Sequence, residues 1–262
     1  NVMRLMENVR GNKTSDKTIS IVMDLGKQLG KAAVLVGNCD GFVGNRIYHQ
    51  YTRQASFLLE EGALPKQVDK AIFEFGFEMG PFAVGDIAGL DVSWRVRKRR
   101  AEIRSPDERY SQIADRLCEL GRFGQKTGAG WYRYHGINRT PISDPITKNV
   151  ILGVSKELNF SRRDIGDEEI LERCLFTIIN EGAKLLDEGM VLRASDIDLI
   201  WAYGYGFPKH RGGPMYYANQ IGLETVCNTL GRLAIRHGHD FAPAPIIKKL
   251  ARIGKDFSNL ND

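Results

Sequence analysis

Apolar positions change their period along this 262-residue chain. "VMRLMENV" (2–9) partly alternates, which predicts a strand. In "SDKTISIVMDLGKQLG" the residues Ile19, Val22, Met23 and Leu29 fall near helical spacing, with Ser15 placed to cap the start and Gly30 the end. "AAVLV" (32–36) then reads as a buried strand. Residues 1 to about 38 thus spell β-α-β, the unit of a parallel sheet. Two strands do not make a stable sheet alone, so the unit reads as the tail of a larger α/β domain.

Beyond Gly41 the period becomes helical. Asn45 to Glu61 predicts one helix, and "PKQVDKAIFEFG" a second with proline near its start. "PFAVGDIAGLDVSWRVRKRR" begins a third. The glycine-punctuated "GRFGQKTGAGWYRY" (121–134) predicts a small hairpin or an extended cover, and "HGINRTPISDP" a linker.

The second half repeats the first. "NRIYHQYTRQASFLLEEG" aligns with "ERCLFTIINEGAKLLDEG", which sets Arg46 on Arg173 and Gly62 on Gly189. After a small insertion "QVDKAI" meets "DIDLIW", and glycine-proline pairs close both copies at 80–81 and 213–214. Such self-similarity predicts two helical domains of common descent, packed around a pseudo-twofold.

Composition narrows the function only a little. The chain is 42% hydrophobic and 26% charged, with no apolar run near the ~18 residues of a membrane span. A formal charge of +5 suits an anionic substrate such as a phosphate-bearing coenzyme and is far from a nucleic-acid signature. Cys39, Cys118, Cys174 and Cys227 form no CxxC pair, which argues for free thiols and no metal site.

"NCDGFVGNR" (38–46) joins a strand to a helix, the usual setting of a phosphate cradle. A dinucleotide loop reads G-x-G-x-x-G, with an acidic residue about 20 positions on at the end of a second strand. Here the glycines are Gly37, Gly41 and Gly44, and the acids at that distance, Glu60 and Glu61, close a helix. No cofactor-binding residue is therefore assigned in this chain. The glycines suit a sharp domain junction. They also suit a cleft into which Asn45 aims its amide, to donate to a carbonyl oxygen that gains charge. Both readings stand on pattern alone.

"GFVGNR" preceded by Asn38, together with "MGPF", "DIAGLD" and "RFGQKTGAGWYRY", resembles the L-3-hydroxyacyl-CoA dehydrogenase family. "VMRLMENV" resembles the end of that family's stretch "HFFxPxxVMxLxE". The second copy, with "GYGFPKHRGGPM", is similar to the duplicated C-terminal part of multifunctional fatty-acid β-oxidation enzymes, which fuse an enoyl-CoA hydratase/isomerase to the dehydrogenase. The resemblance implies a mainly α fold: the tail of a Rossmann-type domain (1–38), then two homologous helical domains (39–135 and 136–262) similar to the C-terminal domain of 6-phosphogluconate dehydrogenase.

It also implies a chemistry, NAD-dependent oxidation of 3-hydroxyacyl-CoA to 3-ketoacyl-CoA. In the family a histidine takes the hydroxyl proton while hydride passes to NAD, and a glutamate orients that histidine. By motif position the glutamate is Glu7 and the substrate-polarising asparagine is Asn45. Read without the resemblance, Glu7 is a solvated strand residue and Asn45 a helix cap. Gly80 and Pro81 of "MGPF" are expected at the substrate.

The histidine should stand twelve positions before Glu7, ahead of Asn1, and His49, His135, His210, His237 and His239 do not fit that place. The expected partners are an acyl-CoA and the NAD-binding and hydratase domains of the same chain, with the NAD site largely outside this sequence. The chain alone is expected to be inactive. Gln50 departs from the proline or alanine usual in relatives. The six basic residues of "WRVRKRRAEIR" (94–104) read as a solvated loop or as an anion-steering patch for coenzyme A phosphates. A bacterial-type cytoplasm is the expected location, with peroxisome and mitochondrion left open; the final "SNLND" carries no S-K-L address. Two other functions fit the same residues: a structural, dimer-forming and substrate-cleft module, or a dehydrogenase of a hydroxy acid outside CoA metabolism.

Overall fold

The alternating and helical runs fold in the order their patterns require. In the computed structural model, which describes residues 2–105, 107–136 and 139–260, β1 (Leu5–Arg10) and β2 (Ala32–Gly37) pair in parallel, with Glu7 opposite Val34. Between them runs α1 (Asp16–Gln28), started by Ser15, whose side chain accepts from Thr18 N at 3.2 Å. Gly30, at φ +66°, ends it in the left-handed region that glycine enters without a Cβ penalty.

The remaining elements are helices: α2 (Phe42–Glu61), α3 (Pro65–Phe75), α4 (Pro81–Ala88), α5 (Leu90–Ala101), α6 (Ile113–Glu119), α7 (Pro145–Glu157), α8 (Asp167–Asp187), α9 (Ala194–Gly204), α10 (Pro214–Ile221), α11 (Leu223–His237) and α12 (Pro245–Arg252). The mainly α expectation is met. Two details differ from the sequence reading. The third expected helix is two, α4 and α5, because Gly89 at φ +92° turns the chain between them. The 121–134 segment forms no strand among the described residues. It is an extended cover pinned by single antiparallel bridges, Gly124 to Ala129, Ala129 to Arg133 and Arg133 to Ile142. Residues 137 and 138 of the expected linker lie outside the described residues.

The chain divides into two units, Asn1–Tyr51 with Glu172–Asp262, and Thr52–Leu171. The division falls inside α2 and α8, within the two stretches that the sequence repeat aligns. The first unit buries Val34, Val36, Val43 and Ile47 together with Ile178, Ile197, Trp201 and Leu230. The second unit buries Leu58, Leu59, Ile72, Phe82, Leu117, Trp131 and Ile151. Its recess of about 710 Å³, lined by residues that include Arg104, Tyr110, Asp115 and Arg116, is not lined by Glu7, Asn45, Gly80 or Pro81.

The repeat recurs as one device built twice. In the second unit Asp69 of α3 accepts from Phe82 N (3.0 Å) and Ala83 N (2.9 Å) at the start of α4. In the first unit Asp198 of α9 accepts from Met215 N (2.7 Å) and Tyr216 N (3.3 Å) at the start of α10. A carboxylate there meets the orphan amides and the positive end of the helix dipole. Burial pushes both carboxyls up to about 6, against the pull of those amides.

A folded-state value above the unfolded one means the native state holds the proton more tightly. These two groups therefore stabilise the fold increasingly as pH falls from about 7 towards 4. Replacing Asp198 with asparagine should flatten that part of the profile. The stability of the unsubstituted chain relative to D198N is expected to rise by about 1 kcal/mol between pH 7 and pH 4.5 in urea titrations. A difference that stays constant over this range would remove Asp198 as its source.

The second unit holds another lock. Asp86 in α4, 1% exposed, accepts from Trp131 N (2.9 Å), Tyr132 N (3.0 Å) and the Tyr134 hydroxyl (2.9 Å). The loop lies so close that a Cβ on Gly130 would stand 1.9 Å from Asp86 Oδ1, and one on Gly124 2.2 Å from the Asp86 carbonyl oxygen. "GDIAGLD" and "GAGWYRY" are thus two halves of one buried hydrogen-bonded joint.

Candidate active site

The site starts at the end of β2, in the bend that opened the question of a phosphate cradle. Gly41 at φ +84° is followed by Phe42 at φ +51°. A bulky residue in the left-handed region is strained, and such strain persists only where the surroundings hold it. Its effect is to aim the first amides of α2 back at the sheet. There Glu7 Oε1 of β1 accepts from Val43 N at 3.2 Å and Gly44 N at 3.1 Å. The anion at this helix start is the chain's own carboxylate.

Two further observations exclude dinucleotide phosphates from these glycines. A Cβ on Gly37 would stand 2.9 Å from Met190 Sδ, and one on Gly44 2.4 Å from the Tyr205 ring. Protein already occupies the space that a cradle would leave open. The residues of this chain therefore do not form an NAD phosphate site.

Burial raises the Glu7 carboxyl above its ordinary value, while the Gly44 and Val43 amides pull it down. Glu7 is half-buried, with one oxygen spoken for by the helix and the carboxylate held in one orientation.

Asn45 follows Gly44 directly, on the exposed side of the first turn. Its Oδ1 accepts from the Tyr205 hydroxyl at 3.0 Å. Among the described residues its amide nitrogen has no acceptor. The turn is anchored by Arg46, whose Nε meets Glu181 at 2.7 Å and whose Nη1 and Nη2 grip Glu188 at 2.5 and 2.7 Å. A bidentate guanidinium–carboxylate pair fixes direction as well as distance. The carboxylates on both sides push the guanidinium further up, through the Glu188 hydrogen bond first, with burial opposing.

The structure thus brings Glu7 and Asn45 to one helical turn, as the sequence reading expected of them. Gly80 and Pro81 belong to the other unit and have a local account there. Gly80 precedes α4 because a Cβ would stand 2.3 Å from Asp69 Cα, and Pro81 opens α4, where a missing N–H costs nothing. Gly213 and Pro214 repeat the arrangement against Asp198. Sequence reasoning missed Tyr205, which lies 160 residues from its partner Asn45. Its only signal was the "GYG" that follows α9 in the second copy.

Known proteins show the same parts in the same order. A family model described as 3-hydroxyacyl-CoA dehydrogenase, C-terminal domain, matches residues 41–134 and again 170–256. A second, described as 3-hydroxyacyl-CoA dehydrogenase, NAD binding domain, matches residues 1–39. The chain is 46% identical to the peroxisomal bifunctional enzyme of Danio rerio, across 97% of this chain and 37% of that protein. It is 34% identical to a glyoxysomal fatty acid beta-oxidation multifunctional protein of Brassica napus, across 98% of this chain and 36% of that one. The crystal structure of the dehydrogenase part of multifunctional enzyme 1 from C. elegans superposes with a TM-score of 0.72 at 32% identity, covering 95% of this chain and 56% of that chain. The chain thus spans little more than a third of the length of these curated relatives. No helix among the described residues is long and apolar enough to cross a membrane.

Proposed function

The chain belongs to the 3-hydroxyacyl-CoA dehydrogenase family, and from that premise we propose that it is the C-terminal part of a multifunctional β-oxidation enzyme that oxidises L-3-hydroxyacyl-CoA to 3-ketoacyl-CoA. The observation that carries the reading is the meeting of β1 and α2. A carboxylate held by two helix amides stands beside a carboxamide whose nitrogen faces solvent.

In this proposal Asn45 donates from Nδ2 to the substrate oxygen at C3, where charge develops as the carbonyl forms. Glu7 acts on a proton-accepting histidine that the resemblance places ahead of Asn1. One Glu7 oxygen is engaged by Val43 and Gly44, which leaves the other to receive an imidazole N–H and to favour its charged form as the hydroxyl proton arrives. NAD accepts the hydride; the matched NAD-binding model agrees with that cofactor, and no step is assigned to it through residues of this chain.

The domain order 1–38, 39–135 and 136–262 is supported by the limits of the family matches, 1–39, 41–134 and 170–256. We place the substrate contact of Gly80 and Pro81 outside the proposal, since both are explained by the start of α4. For location, the relatives' names favour a peroxisome over the bacterial-type cytoplasm first expected.

The test is an assay of the longer protein with NADH and acetoacetyl-CoA, set against free acetoacetate. Turnover is expected with the CoA ester and not with the free acid, and the 262-residue chain alone should show none. Turnover of the free acid in preference to the ester would overturn the substrate class. Turnover by the chain alone would overturn the assignment of the proton acceptor.

A further inference from the structure

We infer that Tyr205 of the second copy is a positioning residue for Asn45: it holds the carboxamide oxygen so that the amide nitrogen presents its protons to substrate. The inference rests on the dehydrogenase reading above and adds to it a function for the repeat.

An exposed asparagine presents its oxygen and its nitrogen equally well, because a half-turn about the last side-chain bond exchanges them. Only the nitrogen donates to a substrate oxygen. The hydroxyl of Tyr205 lies 3.0 Å from Asn45 Oδ1 and gives the oxygen a donor of its own. That choice turns Nδ2 away from the tyrosine, and among the described residues no protein acceptor claims it.

Everything around the tyrosine serves to fix its hydroxyl. Its ring stacks on fully buried Trp201, with centroids 5.2 Å apart and planes at 27°. It meets Tyr48 of α2 at 5.6 Å. Glycines let this packing close. Beneath the ring, a Cβ on Gly44 would stand 2.5 Å from the Tyr205 hydroxyl oxygen, and beside it a Cβ on Gly204 would stand 2.5 Å from Leu5 Cδ2 of β1. α9 reaches the edge of the sheet by this contact and delivers Tyr205 as its C-terminal cap residue. Burial raises the phenol above its ordinary value, with the charge of Glu7 adding to the effect, so the hydroxyl stays a donor throughout the neutral range.

Tyr205→Phe removes the donor and keeps the stacked ring. In the longer protein, assayed with NADH and acetoacetyl-CoA, Y205F should lower kcat roughly two- to tenfold, the worth of one net hydrogen bond. KM should stay within about twofold, since orientation is lost and not the binding surface. In an Asn45→Ala background the same change should have no further effect. Unchanged kcat in Y205F, or an undiminished loss in the Asn45→Ala background, overturns the inference while leaving the dehydrogenase reading intact.

A readout without turnover separates the two. In protein labelled at asparagine side-chain amides, the pair of signals that disappears in N45A should be resolved and ordered in the unsubstituted protein. In Y205F that pair should collapse to the narrow, solvent-averaged position. If the signals are the same in both, Tyr205 does not hold the carboxamide, whether or not the protein turns over substrate.

Discussion

Asn45→Ala in the longer protein is expected to lower kcat about 10²- to 10³-fold, the usual cost of one preorganised donor to an oxygen that gains charge. The direction follows from where Asn45 stands. It is exposed on the first turn of α2, so truncating it removes no core packing. Its loss leaves Glu7 on the Val43 and Gly44 amides and Arg46 on Glu181 and Glu188, so the turn itself should survive. The expected pattern is therefore a fall in kcat with KM moved only a few-fold, and a midpoint of thermal unfolding within a degree or two of the parent's. Substituting aspartate should be at least as harmful, since an acceptor and a negative charge would then face the developing oxyanion. A variant that keeps more than a tenth of the parent kcat would remove Asn45 from the chemistry and leave it as part of the turn alone.

The second large effect is on stability. Asp86→Ala should destabilise the second unit by about 3–5 kcal/mol, which lowers the melting temperature by about 10 °C. Three buried donors, Trp131 N, Tyr132 N and the Tyr134 hydroxyl, lose their acceptor at once. Each unmet donor costs about 1–3 kcal/mol, and entry of water relieves part of the sum. Glycines at 124 and 130 press the loop onto this one side chain, so no neighbouring residue can swing in to replace it. Burial already raises the Asp86 carboxyl, and the amides that oppose the rise are the same ones that would be orphaned. Urea unfolding followed by tryptophan fluorescence reads the change, because Trp131 lies in the lock and packs on Phe82 at 4.6 Å. A loss below about 1 kcal/mol would mean that the loop is held by other contacts, Arg122 on the Gly130 carbonyl and Asp144 foremost.

Glu7, Asn45 and the two strands could be read from the chain because each is announced locally. Alternation marks β1, a cap and a glycine mark α1, and a motif marks the helix start. The family-specific stretches were legible as motifs and misleading as to what they do. "MGPF" was expected at the substrate, yet Gly80 and Pro81 seat Asp69 on the start of α4. "DIAGLD" and "GAGWYRY" marked the family, and Asp86 ties them together inside the second unit. A motif reports that residues are kept together and is silent on whether a ligand or the fold keeps them.

By itself the amino-acid sequence determined the element order, the β-α-β tail, the internal repeat and the failure of the glycine bend as a nucleotide loop. Periodicity, caps and glycine spacing are properties of neighbours along the chain, within the reach of a few residues. What fills the bend was decided only in three dimensions. Its amides hold Glu7 from 36 and 37 residues away, and its glycine lies under Tyr205, which bonds Asn45 across 160 residues. Hydrogen bonds and ring packing act over a few ångströms of space with no regard to separation along the backbone, so no local pattern encodes them.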